Sequence, residues 1–295
     1  MPDVNYRRRF GDRRDGRLLR SLSPFYKMTP YIMPKRCDAL NYFSGKIEVS
    51  ALEGWIRENR KVGWKGIGLL HLVLAAYVRT LASCPGLNRF VSGQKIYARN
   101  NIEVVMMVKR ALTTEADETS IKVVFDPTDT VYDIYRKLGE KVEEVKADAG
   151  GASGTDRAAE ALMRIPGLIL KFAMWVLNLL DYFGLLPQGL VDVSPFHGSI
   201  IITDLGSLGI APIYHHIYNF GNLPVFLAIG AKRRSVELDK AGVPAERKYI
   251  DYKIVMDERT VDGMYFANAL KYFHYYLRNP GELEHPPERV AEDVV

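Results

Sequence analysis

Apolar residues recur at three- and four-residue spacings between Val131 and Val145, and this periodicity predicts a helix with one buried face. The pattern predicts further helices over residues 67–83, 50–61 and 264–277. The first of these three is apolar on nearly every side, so we expect it to be buried. Ser50 is the predicted N-cap of the second, with Glu53 as its capping-box partner.

Shorter apolar runs, bounded by turn-forming residues, predict strands. They lie at residues 42–49, 90–97, 102–108, 121–125, 199–202, 225–229 and 249–256, with a turn predicted at Ser92-Gly93 inside the second of these regions. Prolines at positions 24, 30 and 34 predict an extended segment before the first strand, because proline disfavours a helical residue ahead of it. This succession of helices and strands, with tight turns and long crossovers, predicts one α/β domain built on a mixed sheet.

The segment Ile165–Leu186 is very apolar but is interrupted by Lys171, Asn178 and Asp181. A membrane-spanning helix needs about twenty residues largely free of charge, so we do not expect one here. We predict a helix of the core or of a subunit interface, or an apolar cover over a substrate tunnel. Contact with a membrane surface is the weaker alternative. Residues Gly150–Gly154 ahead of this segment are predicted to form a flexible linker.

The 295 residues are 47% hydrophobic and 25% charged, which is typical of a soluble globular protein with one large or two small domains. Cys37 and Cys84 are too few for a disulfide framework and lack metal-ligand spacing. We therefore expect reduced thiols, a cytoplasmic protein and no metal site. No apolar signal region follows the arginine-rich start, so we expect no secretory signal.

The net charge of +5 owes much to the arginines within residues 7–20. Such a cluster can bind nucleic acid, phosphate or an acidic membrane, or it can be a solvated tail that packs on a neighbour through Phe10 and Leu18-Leu19. Interleaved Asp12 and Asp15, and the lack of stacking aromatic residues, favour the solvated tail. We therefore expect no nucleic-acid partner.

The stretch Asp257-Glu258-Arg259-Thr260-Val261-Asp262-Gly263 carries the most information about function. It follows the apolar run Ile254-Val255-Met256 and precedes the last predicted helix, an arrangement in which active-site loops are often found. The sequence has no G-x-G-x-x-G after a strand and no G-x-x-x-x-G-K-[ST], so dinucleotide and P-loop phosphate binding are not supported.

A second stretch, Ile202-Thr203-Asp204-Leu205-Gly206-Ser207-Leu208-Gly209, is followed by Pro212-Ile213 and by the strand Phe226–Gly230. In order and spacing the two stretches resemble the catalytic domain of the 2-oxoacid dehydrogenase acyltransferases and of the related chloramphenicol acetyltransferases. There the corresponding patterns are roughly T-I-S-N-L-G-x-x-G and D-H-R-x-x-D-G. The resemblance extends over most of the chain, from about residue 25 to residue 285.

This resemblance implies a chloramphenicol acetyltransferase-like two-layer α/β sandwich with a mixed sheet, one domain per chain, and a trimer with active sites between subunits. It implies coenzyme A or acyl-CoA as a substrate. In the family a histidine takes the proton of a thiol or hydroxyl, which then attacks a thioester. A serine hydroxyl of the neighbouring subunit stabilises the resulting oxyanion, and the aspartate of D-G holds the loop.

Transferred residue by residue, the oxyanion hydroxyl corresponds to Thr203, with Ser199 as the fallback, and the loop aspartate corresponds to Asp262. The histidine position holds Glu258. As a base for a thiol, a glutamate with a pKa of about 4.3 is poorer than an imidazole with a pKa of about 6.5, by a rate factor on the order of a hundred. Burial of a carboxyl group in an apolar channel can offset this difference.

Two alternatives concern this position. Adjacent Asp257 and nearby Asp262, if both stay ionised, would raise the pKa of the Glu258 carboxyl through charge repulsion. Glu258 can also be a solvated loop residue or pair with Arg259. His197 or the pair His215-His216 could supply the missing imidazole. Histidines in such an aromatic-rich stretch are more often packed or surface residues than catalytic ones, and we expect these to be packed or at the surface.

We divide the chain into a basic arm (1–24), an acyltransferase-like domain (25–285) with an apolar insertion (161–187), and a C-terminal tail (286–295). The family's multienzyme members carry lipoyl domains ahead of the catalytic domain, and we expect no covalently attached lipoyl group on this chain.

The leading hypothesis is a stand-alone acyltransferase that forms trimers or multiples of trimers and uses a small-molecule thioester. The alternative is a catalytically inactive relative that acts as a trimeric scaffold or ligand-binding protein. We expect Glu258 and a neighbour's Thr203 to face an open tunnel between subunits. A Glu258 side chain in bulk water would count against catalysis.

Overall fold

The computed structural model describes residues 6–109, 118–147 and 160–294, and the strands in these ranges form two sheets. The strands are β1 (Gly16–Leu18), β2 (Leu40–Glu48), β3 (Arg89–Ser92), β4 (Lys95–Arg99), β5 (Ile102–Lys109), β6 (Glu118–Phe125), β7 (Ile200–Asp204), β8 (Val225–Leu238) and β9 (Pro244–Asp257). The helices are α1 (Pro24–Ile32), α2 (Ser50–Lys61), α3 (Leu69–Ser83), α4 (Val131–Ala147), α5 (Gly167–Tyr182), α6 (Gln188–Val193) and α7 (Gly263–Arg278).

The larger sheet has the strand order β2-β9-β8-β7-β5-β6. β7 runs parallel to both β5 and β8, whereas every other neighbouring pair is antiparallel. The predicted α/β fold with a mixed sheet is therefore confirmed. β8 and β9 are longer than predicted, because each continues into a hairpin arm whose exposed, charged positions interrupt the apolar run.

One face of the larger sheet packs on α3, α4 and α7 and forms the main core. Ile200 and Ile202 of β7 belong to this core, whereas Ile201 between them lies in a second apolar cluster on the other face. Every residue of α3 from Leu72 to Ala82 is buried, as its apolar pattern predicted. The helices and the sheet thus form the two expected layers.

Helix α1 occupies the segment that we predicted to be extended, so that prediction is wrong. Pro24 stands in the first turn, where its missing N–H is not needed, and the Ser23 hydroxyl accepts a hydrogen bond from the Tyr26 amide. Pro30 lacks the N–H that would bond the Tyr26 carbonyl in a regular helix. The Thr29 hydroxyl donates to that carbonyl instead, at 2.8 Å.

The N-terminal arm is packed, so the expectation of a solvated tail is wrong for its described part. β1 pairs with β4, and β4 with β3, in a small three-stranded sheet. The buried Arg13 guanidinium forms ion pairs with Asp15 and with Asp181 of α5. Arg17 is also buried and donates to the backbone carbonyl of Asp293. The division into arm, domain and tail stays a prediction.

Helix α2 begins and ends where it was predicted, but its predicted capping box is absent. Val49 is the N-cap, and no side chain caps the helix. Glu53 forms ion pairs with Lys232 and Lys248 of the β8–β9 hairpin instead. The acidic residue in the first turn therefore joins the helix to the sheet.

Helix α5 occupies the apolar insertion and lies at the surface of the chain. Leu168, Phe172 and Trp175 are 86%, 63% and 58% exposed, whereas Asp181 is buried near its C-terminal end. None of the helices within the described ranges has the length and apolar character needed to cross a bilayer. The predicted linker Gly150–Gly154 lies outside the described residues.

Candidate active site at the turn after β9

A buried ion-pair cluster supports the turn between β9 and α7. Asp257 is fully buried, and its carboxylate accepts hydrogen bonds from Arg259 Nε at 2.8 Å and Nη2 at 2.6 Å. Arg36 Nε lies 3.3 Å from the same carboxylate. Each guanidinium also donates to backbone carbonyls, those of Met33 and Tyr218 among them. Because a buried charge is costly without partners, this cluster fixes the turn backbone.

Asp262 caps the N-terminus of α7 and joins it to α1. One carboxylate oxygen accepts from the Tyr265 amide at 2.6 Å, and the other accepts from the Tyr26 hydroxyl at 2.5 Å. The Tyr26 hydroxyl, followed by the backbone amides, lowers the pKa of Asp262. The carboxylate therefore stays charged and holds the turn and the two helices in one arrangement.

Glu258 lies at the tip of the turn with its side chain exposed. Its amide donates to the Ala39 carbonyl at 2.9 Å, whereas its carboxylate has no hydrogen bond or ion pair with any residue that the structure describes. Arg259 pairs with Asp257, so the alternative of a Glu258–Arg259 pair is not observed. Arg36 and Arg259 also compensate the charge of Asp257, which removes the repulsion expected from it.

Thr203 is half-buried on β7, at some distance from the turn. The sheet register pairs Thr203 with Ala228, and Ala228 with Lys253 of β9. Glu258 follows Lys253 by five residues and lies two strands away from β7, so the backbone positions of Glu258 and Thr203 are roughly 19 Å apart at about 3.3 Å per residue and 4.8 Å per strand. A single chain does not bring Glu258 and Thr203 together.

Ser199 was the fallback for the oxyanion hydroxyl, and His215 and His216 were candidates for the missing imidazole. All three lie in other parts of the chain. Ser199 is fully buried, and its oxygen accepts from the Glu103 amide at 2.9 Å. His215 stacks on Phe226 with ring centroids 4.2 Å apart, and burial lowers its pKa. His216 is exposed on the same connecting segment. His215 is therefore a packed residue and His216 a surface residue, the two alternatives expected for them.

A polar cavity of about 340 Å³ lies beside the turn. Its wall includes Lys35, Arg36, Gln94, Asp181 and Arg259. The two arginines are engaged with their carboxylate, whereas the lysine is exposed. Within the described ranges no group of three or more His, Cys, Asp or Glu side chains could hold a metal ion. The cavity is large enough for a small polar ligand next to the turn.

No known protein-family profile and no curated protein sequence matches the chain. Solved structures do match. A probable dihydrolipoamide acetyltransferase from Listeria monocytogenes 4b F2365 is 15% identical, with a TM-score of 0.55 over 86% of this chain and 88% of that chain. The Azotobacter vinelandii dihydrolipoamide acetyltransferase is 14% identical, with a TM-score of 0.56 over 90% and 93%. A serine, a histidine and an asparagine have roles in the catalytic mechanism of the Azotobacter enzyme.

A chloramphenicol acetyltransferase is 10% identical, with a TM-score of 0.52 over 89% of this chain and 99% of that chain. This chain has the fold of these acyltransferases. The fold expected from the two sequence stretches is therefore confirmed. At such low identity the similarity establishes the acyltransferase fold and not an activity.

Sequence analysis missed the structural roles of Asp257 and Asp181. Each stands in or directly after an apolar run, and a charge in such a run needs a partner when it is buried. The charged residue in or after an apolar run is visible in the sequence. The sequence does not identify the residue that pairs with it. The hydrogen bond between the Tyr252 hydroxyl and His274 Nε2, 2.8 Å long, was also missed, and it has no sequence signature.

Proposed function

We propose that this chain is a homo-oligomeric acyltransferase that moves an acyl group between coenzyme A, or another thioester, and a thiol or hydroxyl acceptor. The fold shared with dihydrolipoamide and chloramphenicol acetyltransferases supports the reaction class. The two sequence stretches with the family's order begin in the last residues of β7 and β9 and continue into the turns after them.

One observation supports an active site between chains. It is the separation of Glu258 from Thr203 within a single chain. Both lie at accessible positions, one exposed and one half-buried, but roughly 19 Å apart by strand spacing. A substrate that contacts both must therefore lie between two copies. A trimer, or a multiple of trimers, is what the resemblance to the acyltransferase family implies. A related structure forms the cubic core of a pyruvate dehydrogenase complex, with 12% identity, a TM-score of 0.58 and 87% of each chain covered.

In the proposed reaction, the Glu258 carboxylate takes the proton of the acceptor thiol or hydroxyl as that atom attacks the thioester carbonyl. The Thr203 hydroxyl of the second copy donates to the tetrahedral oxyanion. The intermediate then releases the coenzyme A thiolate, which takes from Glu258 the proton that the acceptor gave up. Asp262 contributes by holding the turn. The second copy would also exclude water from Glu258, which a carboxylate base requires here.

The test is turnover of acyl-CoAs with free thiol acceptors by the assembled protein. Glu258→Ala should lower kcat/KM by roughly 10²-fold or more, as expected for loss of a general base. Glu246→Ala, which removes an exposed glutamate of the β8–β9 hairpin, is the matched control and should leave the rate unchanged. Unchanged turnover in Glu258→Ala would remove this residue from the mechanism.

The second candidate is an inactive trimeric scaffold or ligand-binding protein. The exposed Glu258 carboxylate, without a partner among the described residues, favours it, since nothing in the single chain prepares this group as a base. Glu258→His separates the two hypotheses. A latent acyltransferase site should gain turnover when the imidazole is restored, whereas a scaffold should remain inactive. The free thiols of Cys37 and Cys84 support a reducing, cytoplasmic location for either function.

A further inference from the structure

Three side chains outside the β9 turn form a hydroxyl–imidazole–carboxylate series. His197 is fully buried, and its Nδ1 lies 2.8 Å from Ser194 Oγ. Its Nε2 lies 3.5 Å from Asp181 Oδ2 and has no closer hydrogen-bond partner among the described residues. Arg13 Nη2 donates to the other oxygen of Asp181 at 2.7 Å. α5 supplies the carboxylate, and the segment between α6 and β7 supplies the other two groups.

The Asp181 carboxylate lies on the Nε2 side of His197 and bears on which nitrogen of the neutral imidazole carries its hydrogen. Burial opposes ionisation of Asp181, but His197 and Arg13 outweigh it and lower the pKa of Asp181 to about 2. A carboxylate beside Nε2 favours the tautomer with its N–H on that nitrogen. Nδ1 then keeps a lone pair that can accept the Ser194 hydroxyl proton.

The hydrogen bonds of Ser194 agree with a hydroxyl that donates to His197 Nδ1. Its oxygen accepts a hydrogen bond from the Phe196 amide at 3.2 Å, so the hydroxyl hydrogen is available to His197. Ser194 itself is only partly buried.

An apolar cavity of about 280 Å³ lies against Ser194 and His197. The rest of its lining is apolar, with Met174 and Leu177 of α5, Leu190 of α6, and Phe196 and Phe220 among its side chains. A cavity of this character suits the hydrocarbon chain of an acyl group. The serine then lies where the carbonyl end of such a chain would be held.

We propose that Ser194, His197 and Asp181 form a second acyl site, in which Ser194 takes an apolar acyl group from an ester or thioester. Ser194 Oγ attacks the carbonyl carbon as its proton passes to His197 Nδ1. The tetrahedral intermediate breaks its bond to the leaving alkoxide or thiolate, which takes that proton from His197. Water then attacks the acyl-serine with the same base, which releases a carboxylic acid and restores the serine. Asp181 positions the imidazole and stabilises its charged form.

This inference is independent of the proposed function. It requires one chain only, and neither Glu258 nor Thr203 contributes to it. Asp181 lines the polar cavity beside the turn, whereas His197 lines the apolar cavity, so the pair stands in the wall between the two. The site can therefore be tested with esters alone, without coenzyme A.

The first experiment treats the full chain with an alkyl fluorophosphonate and identifies the modified serine by peptide mass spectrometry. The expected result is one adduct on Ser194, absent from Ser194→Ala. The matched control is Ser50→Ala, which removes an exposed hydroxyl lying 3.4 Å from a carboxylate but without an imidazole. Ser50→Ala should give the same adduct on Ser194 as the wild type. Modification elsewhere, or none at Ser194, would overturn the proposal.

The second experiment measures hydrolysis of p-nitrophenyl acetate and dodecanoate. Ser194→Ala and His197→Gln should each lower kcat/KM by roughly 10²-fold or more. Leu177→Trp, which fills the cavity, should lower kcat/KM for the dodecanoate ester more than for the acetate. Equal losses for both esters, or unchanged hydrolysis in Ser194→Ala, would contradict the site. If His197→Gln does not fold, the serine and leucine variants decide the question.

Discussion

Asp257 and Arg259 form a bidentate ion pair in the interior, with Nε–Oδ1 and Nη2–Oδ2 distances of 2.8 and 2.6 Å. Glu258 stands between them in sequence and is exposed. The two members of the pair point inward, so the side chain of the middle residue points toward solvent. The residue that matters most to the proposed chemistry is therefore positioned by its two neighbours.

This ion pair should be expensive to break. Arg259→Ala leaves the buried Asp257 carboxylate with Arg36 as its remaining guanidinium partner, and we expect the free energy of unfolding to fall by about 3–5 kcal/mol. Urea denaturation measures this. Arg233→Ala removes a partner of the more exposed Asp251 and should cost far less, because solvent screens an exposed ion pair. Equal losses in the two variants would show that burial of the pair does not matter.

Glu258 and Asp262 should differ in their effect on stability. Glu258→Ala removes an exposed carboxylate without partners in the described chain, and we expect a change within about 0.5 kcal/mol. Asp262→Ala removes the N-cap of α7 and the acceptor of the Tyr26 hydroxyl, and should cost about 1–2 kcal/mol. Thermal unfolding of both variants tests this. A large destabilisation in Glu258→Ala would mean that its activity loss cannot be assigned to proton transfer.

Two glycines should respond oppositely to alanine. At Gly45 a Cβ atom would lie 2.3 Å from the buried Tyr252 hydroxyl oxygen, so Gly45→Ala should destabilise by about 1–3 kcal/mol. At Gly54, inside α2, a Cβ would meet no atom within 4 Å, and Gly54→Ala should stabilise by about 0.5–1 kcal/mol. Melting temperatures of the two variants give the comparison, and a stable Gly45→Ala would contradict the described packing of Tyr252.

Acid should weaken the chain partly through Asp181. Its pKa in the folded chain is about 2, below the value of about 3.9 in an unfolded chain. The stabilisation is therefore complete above pH 4 and is lost as the pH falls toward 2, by about 2 kcal/mol. We expect the unfolding free energy of Asp181→Asn to fall less steeply between pH 5 and pH 2 than that of the wild type. Parallel curves would contradict the described contacts with His197 and Arg13.

The apolar stripe of α5 offers a test of assembly. Leu168, Phe172, Trp175 and Leu179 are exposed along one side of the helix, and we expect the proposed oligomer to cover them. Trp175→Glu should lower the molar mass found by sedimentation. Val62→Glu changes another exposed apolar residue, beyond α5, and should leave the mass unchanged. A monomeric wild type that co-sediments with phosphatidylglycerol vesicles would favour membrane contact and make the oligomer prediction wrong.

The sequence predicted the elements that depend on local pattern. The 3.6-residue periodicity of α4, the apolar run of α3 and the strands of the larger sheet were recognisable, because each pattern is set by residues a few positions apart. Helix α1 was not predicted, because Pro30 by itself indicates a break in a helix. The sequence pattern does not show that the Thr29 hydroxyl replaces the N–H that Pro30 lacks.

Taken alone, the sequence determined the fold class, the strand–turn–helix at residues 257–263 and the replacement of a histidine by Glu258. Only the tertiary structure decided that Arg259 pairs with Asp257, that Thr203 lies far from Glu258, and that Asp181 meets His197. The reason is physical. Helix and strand patterns follow from burial of one face of a local segment, whereas the partner of a buried charge depends on which distant segments the packed core brings together.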